Sequence, residues 1–246
     1  SLTIQGGTDD DAHIDTGAIT ASDALTTLTL TSSTTGAPVV MDTLADADSL
    51  TSITATGSYG AITTGAIGGT GTAEVLATIT ASASYDSLVS LGTITADTTN
   101  SLTENDLTIT ATTDDYASSE INLATGGAIT NTQGTITLNA SGGGEVSTGD
   151  LTAVDVTVTS SAGASTDTNT IDDIIASDDI VITTSGAGAH TFTALTGSDD
   201  MTITHTGTAA LTITTIADGV DDITIDATGA TGAVLIGTNS DTGATS

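Results

Sequence analysis

A short word in which aliphatic residues alternate with threonine returns along the whole chain and limits the available folds more than any other feature. It reads Leu28-Thr29-Leu30-Thr31, Thr93-Ile94-Thr95, Leu107-Thr108-Ile109-Thr110, Thr135-Ile136-Thr137-Leu138, Val156-Thr157-Val158-Thr159, Met201-Thr202-Ile203-Thr204 and Leu211-Thr212-Ile213-Thr214. A period of two sends the aliphatic side chains to one face of an extended strand and the hydroxyls to the other. Branching at Cβ favours the pleated surface and crowds a helix. Threonine supplies 59 of the 246 residues, so strand preference pervades the chain. The segments with helical spacing, Ala45 to Leu50 and Ile171 to Ala176, are too short to stand alone as helices.

Acidic pairs mark a longer period. Asp178-Asp179, Asp199-Asp200 and Asp221-Asp222 each open a strand, and the first apolar residues after them, Ile180, Met201 and Ile223, lie 21 and 22 positions apart. A shorter apolar element precedes each pair: Ile174-Ile175, Ala194-Leu195 and Thr215-Ile216. Asp106-Leu107 and Asp155-Val156 open similar strands in earlier, looser units. One such unit cannot bury its apolar face alone, so a quasi-period near 20 points to stacked coils. The expected fold is all-β, a β-solenoid (parallel β-helix) of short Thr-rich strands, with β-sandwich domains as the alternative. Gly126-Gly127, Asn131, Gly134, Asn139 and Gly142-Gly143-Gly144 suit its corners. Coils of about 20 residues rising about 4.8 Å each predict roughly a dozen coils and a rod of about 55 to 60 Å. Residues 1–246 read as a single elongated repetitive β domain, a segment of a longer or polymerising protein. Pro38 to Asp48 and Ala162 to Asn169 read as irregular.

Composition excludes several classes of function. The chain has 31 acidic residues, no Lys and no Arg, for a formal charge of -31. A groove for nucleic acid or a patch for an anionic membrane needs cationic side chains, so neither partner is expected. Without cysteine there is no disulfide framework and no thiolate metal site. No run approaches the roughly 20 apolar residues that span a bilayer, so membrane insertion is not expected. The core must be built from Ile, Leu, Val and Ala, because Phe192 and the tyrosines Tyr59, Tyr85 and Tyr116 are the only aromatic residues, and their spacing suggests no shared layer.

The words Gly127-Ala128-Ile129-Thr130-Asn131-Thr132-Gln133-Gly134-Thr135-Ile136-Thr137-Leu138-Asn139-Ala140 and Asp106-Leu107-Thr108-Ile109-Thr110 resemble the stalks of repetitive bacterial cell-surface proteins, namely filamentous haemagglutinin-like adhesins and repetitive surface-layer proteins. The resemblance implies an extracellular rod, sheath or lattice at the cell surface, often with calcium bound, and carries over no catalytic residue. Gly68-Gly69-Thr70-Gly71-Thr72-Ala73-Glu74-Val75 follows the frame of a calcium-binding nonapeptide but places Ala73 where that motif needs aspartate.

The acidic pairs are the candidate metal ligands: Asp178, Asp179, Asp199, Asp200, Asp221, Asp222, Asp114 and Asp115. Calcium takes six to eight oxygen ligands, which a corner supplies from carboxylates, carbonyls and water. Stacked corners would bring Asp179, Asp200 and Asp222 together, and that repulsion calls for a bridging cation. Asp9-Asp10-Asp11 and Asp172-Asp173 belong to the same set. The three histidines, His13, His190 and His205, read as single surface residues rather than a site, with a meeting of His190 and His205, 15 residues apart, within a coil as the alternative.

The expected function is a non-enzymatic structural component of a surface layer, sheath or filament that associates with itself, stabilised or assembled by divalent cations. The alternatives are a calcium-dependent adhesin stalk binding a cell-surface glycan or receptor, and an ice-binding β-solenoid, which the threonine ladders resemble. Paired aspartates also suit acid–base chemistry on polysaccharides, but the aromatics that would stack on sugars are nearly missing.

Overall fold

The computed structural model describes residues 1–7, 13–20, 24–34, 37–45, 47–68, 75–96, 105–116, 118–163, 166–197, 199–217 and 221–239. The acidic run Asp9-Asp10-Asp11 and most of the nonapeptide-like segment fall outside them. Among the described residues there is no helix, and every strand pairing is parallel. A sandwich of antiparallel sheets is thereby replaced by a β-solenoid.

Ten strands form the first sheet in strict chain order, from Leu2–Gln5 and Thr27–Ser32 through Ile180–Gly186 and Asp200–His205 to Asp222–Asp226. The register follows the alternating words. Ile180 lies beside Met201, and Met201 beside Ile223. One inward column runs Leu2, Leu28, Ile53, Ile79, Ile109, Leu138, Val158, Ile182, Ile203 and Ile225. From Leu28 to Ile203 its members are 1% exposed or less. Each fully buried aliphatic side chain of this size contributes about 1.5–3 kcal/mol, so the core's strength comes from repetition rather than from large side chains.

The second sheet closes the coil and carries two more inward columns. One begins Ile14, Val39, Ile62, Val89, Ile121 and Val146. The other runs Ile19, Leu44, Ile67, Ile94, Ile129, Leu151, Ile174, Leu195 and Ile216. In the first coils these columns sit on separate short strands, such as Val39–Met41 and Leu44–Ala45. From Glu120–Asn131 onward a single bent strand carries both. The first bent strand turns through a bulge between Leu123 and Ala128, with Ala124 (φ 53°) and Gly126 (φ 74°) in the left-handed region. The next turns at Gly149, where a Cβ would strike the carbonyl oxygens of Ala124 and Gly127.

Coil length is less even than the acidic pairs suggest. Ile79 to Ile109 spans 30 residues, whereas Leu138 to Val158 spans 20. Ten stacked strands at about 4.8 Å make a described rod of about 43 Å rather than 55 to 60 Å. The short period belongs to the later coils, where the two short sides have fused. Pro38 to Asp48 contains two ladder strands, and Ala162 to Asn169 runs into another that starts at Thr168.

Replacing Ile182 with Ala is expected to cost about 2–5 kcal/mol in urea denaturation, because a stacked interior cannot close the gap. Thr183→Ala, one residue along and facing water, should stay within about 0.5 kcal/mol. Equal losses would show that the alternation does not define the core.

Candidate functional site

Three positions ahead of the first inward column, the corner residues change from leucine to acid. Leu25, Leu50 and Leu76 give way to Asp106, Thr135, Asp155, Asp179, Asp200 and Asp222. These aspartates have backbone work. The Asp106 carboxylate accepts from the Thr135 amide (3.1 Å), Asp155 from the Asp179 amide (3.2 Å) and Asp179 from the Asp200 amide (3.1 Å). Each carboxylate therefore ties its own coil to the next. Asp200 and Asp222 stand directly beside one another in the ladder.

Asp178 and Asp199, the leading members of two pairs, are exposed beside this corner. One carboxylate oxygen from each of Asp178, Asp179 and Asp199 lies within 4.8 Å of the other two. Two oxygens on one calcium, each about 2.4 Å from it, are at most about 4.8 Å apart, so the triad fits a divalent cation. Three carboxylates are half or less of a calcium shell, and the remaining ligands would be water or carbonyls. A polar cleft of about 230 Å³ adjoins the triad and brings Asp106, Asp155 and Asp178 together with Gln133.

The electrostatics show the crowding. Desolvation raises the pKa of Asp178 above its usual range, and Asp179, Asp155 and Asp199 push it further. Asp200 is raised in the same way by desolvation and then by Asp199, Asp222, Asp179 and Asp221. With no Lys or Arg in the chain, only protons, dissolved ions or distance relieve this repulsion.

Asp114 and Asp115 lie at the opposite end of the first-sheet strands and do not join this group. Asp114 accepts hydrogen bonds from Ser119 Oγ (2.6 Å), the Tyr85 amide (2.9 Å) and the Tyr116 amide (3.2 Å). Partial desolvation pushes Asp114 up, but these bonds outweigh it and hold its carboxyl below the usual range. Asp172 and Asp173 sit within the strand Thr168–Ala176, at its bend. There desolvation, Asp150 and Asp172 raise Asp173.

Two structural groupings were missed by the sequence reading. His190 and His205 are not surface residues: both are fully buried, with ring centroids 6.3 Å apart. Each pairs Nε2 with a backbone carbonyl, Ser185 at 2.9 Å and Ala209 at 3.1 Å. Each Nδ1 faces a hydroxyl, Ser160 at 3.1 Å and Thr184 at 2.8 Å. Carbonyls only accept, so Nε2 carries the proton and each ring is satisfied in its neutral form. Asn169 extends the network, donating to Ser160 and accepting from the Val146 amide. The signal was register: Ser160, Thr184 and His205 continue the inward column of Ala81, Ala111 and Ala140.

The second grouping is the tyrosines, which do share a layer. Tyr59 and Tyr85 stack with centroids 4.5 Å apart, and Tyr116 follows at 5.4 Å.

The outward face of the first sheet forms a lattice of hydroxyls. One column reads Thr3, Thr29, Thr54, Thr80, Thr110, Asn139, Thr159, Thr183 and Thr204. Beside it run Thr27, Ser52, Thr78, Thr108, Thr137, Thr157, Val181 and Thr202. The second run continues to Thr224 without a charge, whereas the first meets Asp226 on the last strand.

No family model matches the chain, and comparisons with curated proteins and with solved structures find no match either. Among the described residues, no helix is long and apolar enough to cross a membrane.

The histidines give a signed prediction. Burial pushes the His190 pKa below 6.5; the Ser185 carbonyl opposes the shift and His205 adds to it. Below 6.5 the unfolded chain binds a proton that the folded chain does not, so stability present above that pH is lost as pH falls. The raised carboxylates act in the opposite sense, adding stability only as pH falls through their own, lower range. The melting midpoint should therefore drop between about pH 7.5 and 5.5. His190→Asn, which copies Asn169 at the same register one coil earlier, should flatten that slope. An unchanged slope would remove the histidine explanation.

Proposed function

We propose that this chain is a non-enzymatic structural rod of an extracellular surface layer, sheath or filament, and that divalent cations bound along its acidic corner stabilise the fold or its assembly. The observation that carries this reading is the triad of Asp178, Asp179 and Asp199, whose oxygens meet the span of one ion in a chain with no Lys or Arg. The stacked architecture supports a spacer or scaffold, because every coil repeats the same load-bearing contacts. A stalk that carries a glycan-binding adhesin would use the same rod.

An exposed site of this kind falls in the weak, roughly 10⁻⁴–10⁻³ M class of extracellular calcium modules. Ten dissociation constants of free calcium would then add about 1.4 kcal/mol of stability. Melts in calcium and in chelator at equal ionic strength should differ by a few degrees. Asp178→Asn with Asp199→Asn should raise the chelator midpoint, by removing repulsion, and abolish the calcium increment. Identical wild-type midpoints would end the cation proposal.

A second reading has a specific observation in its favour. The hydroxyl columns are in register and, from Thr3 to Thr204, free of charge on a chain that is otherwise strongly acidic, which suits binding to an ordered surface such as ice. Freezing-point hysteresis measured on the purified chain tests it. Activity should be present in the wild type and lost in Thr110→Tyr, which raises a ring from the lattice without touching the core. A wild type without hysteresis contradicts the reading.

A further inference from the structure

We propose that Tyr59, Tyr85 and Tyr116 form an oxidative cross-linking site, in which Tyr59 and Tyr85 are joined through their rings as a dityrosine that staples two successive coils. The chain holds three tyrosines, and all three stand at one corner of the solenoid. They are 49%, 43% and 50% exposed, so an oxidant reaches each ring although the rings contact one another. Tyr59 and Tyr85 are nearly parallel, 6° apart, at a centroid distance of 4.5 Å. The strands behind them fix this arrangement, since Ser58 pairs with Ser84 immediately before the two rings. Tyr85 is held further by the hydrogen bond that its backbone N–H donates to the Asp114 carboxylate, which also accepts from the Tyr116 N–H.

The backbone sets two of these rings at positions that do not favour a bulky side chain. Tyr59 (φ 70°) and Tyr85 (φ 55°) both adopt the left-handed conformation that glycine or asparagine takes most readily. The strain of two such residues is at least comparable with what ring stacking returns. The first coils are also those with separate short sides, where a covalent tie would add most. Without cysteine or lysine the chain cannot form a disulfide or a lysine amide cross-link, and phenol coupling offers a covalent staple of another kind.

The step balances with a peroxide acting through a one-electron oxidant of the haem peroxidase class. Each phenol gives up one electron and one proton, and the two phenoxyl radicals form a carbon–carbon bond between ring positions ortho to oxygen. The two ortho hydrogens then move to the oxygens and restore both aromatic rings. The protein loses two hydrogen atoms in all, and one peroxide is reduced to two waters. Tyr85 faces both neighbours, but its 52° tilt and longer separation from Tyr116 make Tyr59 the favoured partner.

The test treats the dilute full chain with a haem peroxidase and hydrogen peroxide, then reads dityrosine fluorescence, intact mass and cross-linked peptides. Digestion uses a protease that cuts after glutamate as well as aspartate, because trypsin has no site here and only a cut at Glu74 puts Tyr59 and Tyr85 on separate peptides. The expected product is a monomer lighter by two hydrogens, with the Tyr59 and Tyr85 peptides linked and a melting midpoint above that of the untreated chain. Tyr85→Phe keeps a ring in the stack and should lose the intrachain product, whereas Tyr116→Phe should retain it. Dityrosine found only between chains, or an undiminished intrachain product in Tyr85→Phe, would overturn the proposal. The outcome is independent of whether the acidic corner binds a cation.

Discussion

Parallel stacking in register is the constraint on which the rest of the structure depends. Each residue sits on its counterpart in the next coil, so whatever one coil places inside, outside or at a corner is multiplied along the axis. Aliphatic residues in such a column reinforce one another, as Leu28, Ile53, Ile79 and Ile109 do. Outward threonines lose nothing by repetition, because water satisfies each hydroxyl. Aspartates carry the opposite balance: Asp155 and Asp179 gain an amide from the following coil, yet their charges accumulate. Desolvation and then neighbouring carboxylates raise Asp178 and Asp200, and protons, dissolved ions or distance relieve the repulsion.

The same constraint divides the surface into three strips. One corner is acidic, the first sheet presents a hydroxyl lattice that stays uncharged up to Asp226, and the opposite corner carries the tyrosine stack. The interior is not uniform either. Where Ser160, Thr184 and His205 replace alanines, a satisfied polar network runs through the core of the later coils. It makes those coils sensitive to acid in a range where the aliphatic coils are indifferent. The early coils hold their three sides on separate strands, while the later ones bend a single strand around the second corner.

Much of this was legible in the residues. Alternation gave the inward and outward faces, and the acidic pairs gave the register of Ile180, Met201 and Ile223 because one Asp per coil marks the same corner. Period length was misread, since those markers sit only where the coils are short; the separate-sided early coils run to 30 residues. That error concealed the tyrosine stack, whose spacing follows the longer coils. Unequal loops leave strand register untouched, so the threonine columns stay aligned across coils of different length. The histidines were misplaced because the alternation rule was applied to apolar residues alone: His205 occupies the inward phase of Met201-Thr202-Ile203-Thr204-His205 and should have been read as core. Asp114 looked like the other pairs in sequence, and only the fold shows its oxygens engaged by Ser119, Tyr85 and Tyr116.

The most direct test of the stacking account is a distance along the axis. Thr29 and Thr204 belong to one outward column and are separated by seven ladder steps. The chain has no native cysteine, so Thr29→Cys with Thr204→Cys takes a nitroxide pair cleanly. Pulsed electron–electron dipolar spectroscopy should then give one narrow distribution centred near about 34 Å, seven steps of about 4.8 Å. A broad distribution, or a much shorter distance such as a folded-back sandwich would produce, would contradict the continuous stack.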